Sequence, residues 1–200
     1  MKSQLRLIGG RKLKSPIGDL VRPTTARVRE ALMNILKEDI ENSNWLDLYS
    51  GSGAIGCEAI QRGANTVVAI EQNKKIYQLC ENNLSVVSKA NKKEVSVQVI
   101  NSDVNKFLKS GFKNYIQKSP KKLHSKDFYF DYIYIDPPYK KDPYYYILEN
   151  LLLGNWVVSK CLAICEFSLE KGIDVPPRWI TKDQKSYGST GLLFLTPNLG

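Results

Sequence analysis

Asp47-Leu-Tyr-Ser-Gly-Ser-Gly-Ala-Ile-Gly56 runs out of a short apolar stretch, Trp45-Leu-Asp-Leu-Tyr49, and opens a small-residue segment that continues to Gln61. That order reads as strand, glycine turn and helix. Glycines at such a junction let the backbone pass close to a ligand, and the amides of the helix N-terminus face it. Read as G-x-G-x-x-G, the stretch fits a dinucleotide-type fingerprint, with Glu71 lying 20 residues beyond Gly51 at the end of the next apolar run, Thr66-Val-Val-Ala-Ile70. An acid there can accept hydrogen bonds from both hydroxyls of a ribose. Strand, turn, helix and acid together point to an adenosine-containing cofactor.

The alternation continues outward on both sides. Ile76, Leu79, Cys80, Asn83, Leu84 and Val87 mark one face of a second helix, and residues 95–100 alternate as a third strand before a short helix over 104–109. A fourth strand is expected over 132–135, a helix over 143–153 and a fifth strand over 161–167; two runs flanking Gly188 read as a terminal antiparallel pair. Upstream, Thr24 or Thr25 is a suitable cap for an amphipathic helix carrying Val28, Leu32, Ile35 and Leu36 to about Ile40. Leu5-Arg-Leu-Ile-Gly-Gly-Arg-Lys-Leu-Lys14 reads as a basic β-hairpin. The chain therefore divides into a hairpin arm over 1–22 and an α/β domain over 23–200, whose βαβαβ order predicts a mostly parallel sheet, helices on both faces and a ligand at the carboxyl ends of the strands. Residues 110–127 lack a sustained period and read as a long surface loop, either an RNA-facing insertion or a solvated one.

With 200 residues and 42% hydrophobic side chains, the chain suits one globular domain. Its 29 Lys and Arg against 20 Asp and Glu give +9, which favours a polyanionic partner. The excess is local: residues 1–30 carry +6, residues 105–145 carry +5 and the remainder −2. No apolar run reaches the roughly 18 to 20 residues of a spanning helix, and no apolar segment follows the first residues as in a secretory signal, so a cytoplasmic protein without membrane contact is expected. Cys57, Cys80, Cys161 and Cys165 lack zinc spacing and read as reduced, buried thiols; His124 is the one histidine. No metal site is expected.

Several side chains carry the chemistry. A carboxylate at Asp47 would meet a cationic amino-acid moiety but repel a pyrophosphate, which favours S-adenosylmethionine over NAD. Ser50, Gly51, Gly53 and Glu71 complete the candidate cofactor set, with Asp103 as acceptor for an adenine amino group or as cap of the 104–109 helix. In Ile135-Asp136-Pro137-Pro138-Tyr139 two prolines hold the chain extended and remove two donors. Asp136 and the Pro137 carbonyl can then accept both hydrogens of an exocyclic amine, aiming its nitrogen lone pair at a sulfonium methyl, while Tyr139 stacks on an extruded base. Arg6, Arg11, Lys12, Lys14, Arg22, Lys140 and Lys141 are the candidate RNA contacts. Aromatics and lysines interleave over 139–146, where Tyr146 and Leu148 also fit the inner face of a helix; Tyr187-Gly188-Ser-Thr190 fits a hairpin turn.

The hairpin, the segment Arg22-Pro-Thr-Thr-Ala-Arg-Val-Arg-Glu-Ala-Leu32, the glycine motif, Asp136-Pro-Pro-Tyr139 and Tyr187-Gly-Ser-Thr190 resemble, in order and nearly end to end, the RsmD family of bacterial 16S rRNA guanine-N2 methyltransferases. The Arg22 to Leu32 segment is the discriminating piece, since the other two motifs recur in many amino-methylating enzymes. The resemblance implies a Rossmann-like, seven-stranded sheet with its last strand antiparallel, S-adenosylmethionine as methyl donor, and a guanine of 16S rRNA in the assembling small subunit as acceptor; a monomer is expected. It implies that Gly51, Gly53 and Glu71 hold the cofactor and residues 136–139 the guanine. The third-strand motif reads Ser-Asp-Val where Asp-Ala is typical of the family, and the Lys-rich insertion over 113–126 is longer than usual. Other readings of the same motifs are methylation of adenine N6 in DNA or of a protein amide, a non-catalytic RNA-binding assembly factor, and an NAD-dependent dehydrogenase.

Overall fold

The computed structural model describes residues 5–15, 24–120, 123–125, 127–138 and 143–200. The chain forms two compact units, Met1–Ser102 and Asp103–Gly200. Its sheet has seven strands and is mixed.

In the first unit, α1 (Ala26–Leu36) is capped by the Thr25 hydroxyl, which accepts the Val28 N–H at 3.3 Å. Val28, Leu32, Met33 and Leu36 form its buried face, while Ile35 is 38% exposed, so Met33 takes the inward place expected of Ile35. The α-helix ends earlier than its apolar period suggests: Lys37 turns to φ 38°, and the chain tightens into a 3-10 turn over Lys37–Ile40 that still buries Ile40. Strand β1 (Asn44–Leu48), helix α2 (Ala54–Gln61), β2 (Thr66–Glu71), α3 (Lys74–Lys89) and β3 (Ser96–Asn101) follow in alternation. The strands are parallel, in the order β3-β2-β1, with Asp47 opposite Ala69 and Glu71 opposite Asn101. Trp45, Leu46, Leu48 and Val67 to Ile70 are fully buried, as expected of near-continuous apolar runs in a parallel sheet with helices against it.

The N-terminal segment is a minimal hairpin with one antiparallel bridge, Arg6 to Lys12, turning at Gly10. It alternates: Leu5, Leu7 and Leu13 are buried, and Arg6, Lys12 and Lys14 are exposed. Burying each leucine contributes roughly 1.5 to 3 kcal/mol, enough to hold so short an element against the helices.

In the second unit, α4 (Val104–Lys109) and α5 (Phe112–Lys118) precede β4 (Tyr132–Ile135), α6 (Tyr144–Leu153), β5 (Leu162–Ser168), β6 (Trp179–Tyr187) and β7 (Thr190–Pro197). The order is β4-β5-β7-β6; β4 and β5 are parallel, and β7 runs antiparallel to both β5 and β6. Gly188, at φ 64°, turns the β6–β7 pair. One expectation is overturned. Residues 110–127, read as a loop, contain α5, whose Tyr115 is buried, and Phe107, Phe112, Tyr115, Phe128, Phe130 and Trp156 pack ring against ring. Spaced aromatics, not a helical apolar stripe, hold this segment, so no period showed; Lys113 and Lys118 point outward from it. Lys121, Lys122 and Lys126 lie outside the described residues. No described helix is long and apolar enough to cross a membrane.

Candidate cofactor and acceptor sites

Strand β1 delivers Asp47 into the interior at 3% exposure, and the chain then has to reverse into α2 within five residues. It does so through left-handed conformations at Tyr49 (φ 63°), Gly51 (φ 53°) and Gly53 (φ 75°). Such a backbone is rare for a tyrosine, and residues held this way cluster at ligand sites. Gly53 is needed twice over, since a Cβ there would also lie 2.8 Å from Cys80 Sγ. At Gly56 a Cβ would lie 2.8 Å from Val67 Cγ1, so the first turn of α2 rests directly on β2.

Two carboxyls flank this turn. Asp47 accepts the Gly56 N–H; burial pushes its pKa up to about 8, the amide opposing the shift and the nearby Glu71 charge adding to it. Glu71, half-buried at the end of β2, accepts the Gly51 N–H on Oε2 at 3.1 Å and the Asn73 N–H on Oε1 at 2.7 Å. Its pKa is raised by burial, against the pull of those amides. Ser50 is tied to β2 by its N–H to the Ile70 carbonyl at 3.0 Å, and its hydroxyl reaches the same carbonyl and Cys80 Sγ. A carboxylate has about four acceptor positions, so Glu71, with the amides of Gly51, Asn73 and Gln72 beside it, keeps capacity to accept from a ribose. The acceptor set thus fits an adenosine cofactor bearing a cationic amino-acid arm.

Asn83 is a member that the sequence reading placed only on a helix face. Its side chain, 2% exposed, donates to the Ser52 carbonyl at 2.9 Å and to the Lys14 carbonyl at 3.0 Å, and accepts the Lys14 N–H at 3.0 Å. A second buried cluster fastens the same hairpin. Glu58 of α2, fully buried, accepts the Ile8 N–H at 2.9 Å, pairs with Arg62 at 3.1 Å and faces the buried Arg29 at 3.7 Å. Arg29 in turn donates to the carbonyls of Thr24 and Arg6. This explains the distinctive segment around Arg29: it anchors the hairpin, whose own Arg6, Arg11, Lys12 and Lys14 stand exposed.

In the second unit, Asp103 caps α4 by accepting the Lys106 N–H at 2.9 Å, the capping role weighed for it above. Asp136 is half-buried directly after β4, with Pro137 buried and Pro138 exposed. Tyr134, two residues before Asp136, donates its hydroxyl to the Glu166 carboxylate, and Tyr144, at the start of α6, donates to the Glu166 carbonyl. The 4%-exposed Glu166 of β5 therefore fixes the strand leading into Asp136-Pro-Pro and the helix that follows it. A lone glutamate inside the apolar run 161–167 was the available signal for it. Tyr144 is the buried tyrosine of α6, whereas Tyr146 is 70% exposed and does not share the inner face with Leu148. Arg22, Tyr139, Lys140 and Lys141 lie outside the described residues. All four cysteines are buried and none is in a disulfide, and no described group of acids, cysteines or histidine could hold a metal ion.

Residues 5–196 match the family model described as Conserved hypothetical protein 95. The chain is 32% identical over 194 residues to Ribosomal RNA small subunit methyltransferase D of Escherichia coli, covering 92% of this chain and 86% of that protein. The solved structure of yhhF from Escherichia coli matches at a TM-score of 0.76 and 29% identity, over 99% of this chain and 100% of that one. SMU.776, solved in complex with SAH, shares the fold at a TM-score of 0.57 and 16% identity, over 86% of this chain and 48% of that one.

Proposed function

This chain belongs to the Conserved hypothetical protein 95 family, which takes in the RsmD methyltransferases, and from that premise we propose that it methylates the exocyclic N2 amine of a guanine in 16S rRNA, with S-adenosylmethionine as donor. The observation that carries the reading is the glycine turn closed onto Glu71 beside the buried Asp47, an acceptor set matched to that cofactor. Glu71 accepts the ribose hydroxyls, and Asp47 faces the amino-acid arm. When bound, the cofactor supplies an electrophilic methyl on a sulfonium.

Asp136 and the Pro137 carbonyl accept the two hydrogens of the guanine amine, and Pro138, having no N–H, offers no competing donor. Held so, the nitrogen lone pair leaves conjugation and points along one line. Alignment of this kind contributes roughly 7 to 11 kcal/mol to lowering a barrier. No strong base is needed, because the amine proton becomes acidic once nitrogen is alkylated. Tyr139 stacks on the extruded base, and Arg6, Arg11, Lys12, Lys14, Arg22, Lys140 and Lys141 hold phosphates. The enzyme acts as a monomer on the assembling small subunit in the cytoplasm.

The test is transfer of labelled methyl to 16S rRNA or small subunits lacking the modification, with the product nucleoside identified. Wild type should yield N2-methylguanosine, and Asp136→Ala should yield none while still binding cofactor. Label in duplex DNA or protein, with none in RNA, would overturn the reading.

A further inference from the structure

We infer that Asn83 is a positioning residue that couples the basic hairpin to the cofactor turn, so that cofactor binding orders the surface that receives RNA. One buried amide bonds to both the hairpin and the turn. Its oxygen and one N–H engage both backbone groups of Lys14, as a neighbouring strand would, and its second N–H holds the Ser52 carbonyl between Gly51 and Gly53. Lys14 is itself exposed and belongs to the cation row of the hairpin. The hairpin is short, held internally by the N–H groups of Leu7, Gly10 and Leu13 on the carbonyls of Arg11, Leu7 and Leu5, so outside partners add to its ordering.

The geometry is demanding. A primary amide supplies two donors and two acceptor lone pairs in one plane, and Asn83 spends both donors and one lone pair here, so a movement of the turn is passed through the amide plane to the Lys14 peptide. The other hairpin anchors, Glu58 to Ile8 and Arg29 to Arg6, reach no residue of the turn in this bonding pattern. Asn83 is bonded to both. By reciprocity, RNA on the hairpin would strengthen cofactor binding by the same factor.

This inference rests on the cofactor assignment above but not on the identity of the acceptor. Its test is amide hydrogen exchange over residues 5–15 of the full chain, with and without S-adenosylmethionine. In wild type the cofactor should slow exchange at Lys14 and its neighbours about five-fold or more, in the usual range of coupling between sites. Asn83→Asp keeps an acceptor for Lys14 and loses both donations, so protection there should vanish while cofactor still protects the amide of Gly51. Equal protection of the hairpin in both proteins, or none in wild type with cofactor bound, would overturn the inference. The wild-type comparison stands even if the variant folds poorly. Absence of methyl transfer to RNA would count against the functional reading alone.

Discussion

Gly51 and Glu71, 20 residues apart, are joined by one hydrogen bond: the backbone N–H of the glycine turn donates to the Glu71 carboxylate at 3.1 Å. The acid that would bind the ribose is thereby also the group that holds the turn closed. Glu71→Ala should weaken S-adenosylmethionine binding by about 100-fold or more, through loss of two charge-assisted hydrogen bonds of roughly 1.5 to 3 kcal/mol each. Calorimetric titration checks this; an unchanged Kd would remove Glu71 from the site.

Asp47 yields a pH signature. Its carboxyl keeps its proton to about pH 8 in the fold but gives it up from 3.8 when unfolded. Between those values the folded state binds the extra proton, so this group's stabilisation is complete at low pH and is lost as pH rises toward 8. Asp47→Asn should flatten that part of the stability profile, as read from urea midpoints between pH 5 and 8. A cofactor ammonium favours the ionised form, so cofactor affinity should rise with pH over the same window in wild type, by up to about tenfold per unit, and not in the variant.

Glu58 is the counter-charge for Arg29 in the interior. Glu58→Ala leaves that guanidinium buried at 1% exposure without it and frees the Ile8 N–H, which should cost about 3 to 5 kcal/mol. Thermal unfolding measures it. A loss below 1 kcal/mol would mean that the ion pair does not anchor the hairpin.

The exposed cations of the hairpin should appear in the salt dependence of RNA binding. Neutralising Arg6, Arg11, Lys12 or Lys14 should lower the slope of log K against log salt by roughly 0.7 to 0.9 for each phosphate contact removed. Equal slopes for wild type and the fourfold variant would place the RNA elsewhere.

Much of this was legible in the sequence because it is local. The fourth strand, at 132–135, is marked by its own four residues, and the glycine motif together with an acid at the next strand end marks the turn that Gly51 and Glu71 close. Hairpin, crossover order and the antiparallel ending followed from period and from family motifs. The segment 110–127 shows no sustained apolar period because its helix is short, with Phe112 and Tyr115 one turn apart and packed on rings as distant as Trp156.

What the sequence alone determined is the alternation of strands and helices and the motif chemistry, since backbone conformation and apolar period are set by neighbours a few residues away. Only the tertiary structure decided the roles of Asn83, Glu58 and Glu166. Their partners lie tens of residues away, Lys14 being 69 positions from Asn83 and Ile8 50 from Glu58, and a hydrogen bond closed over such a loop leaves no spacing to read. Burial made the difference as well: an asparagine or glutamate in a helix or strand is ordinary until its amide or carboxyl is removed from water, and then each of its polar atoms must find a partner.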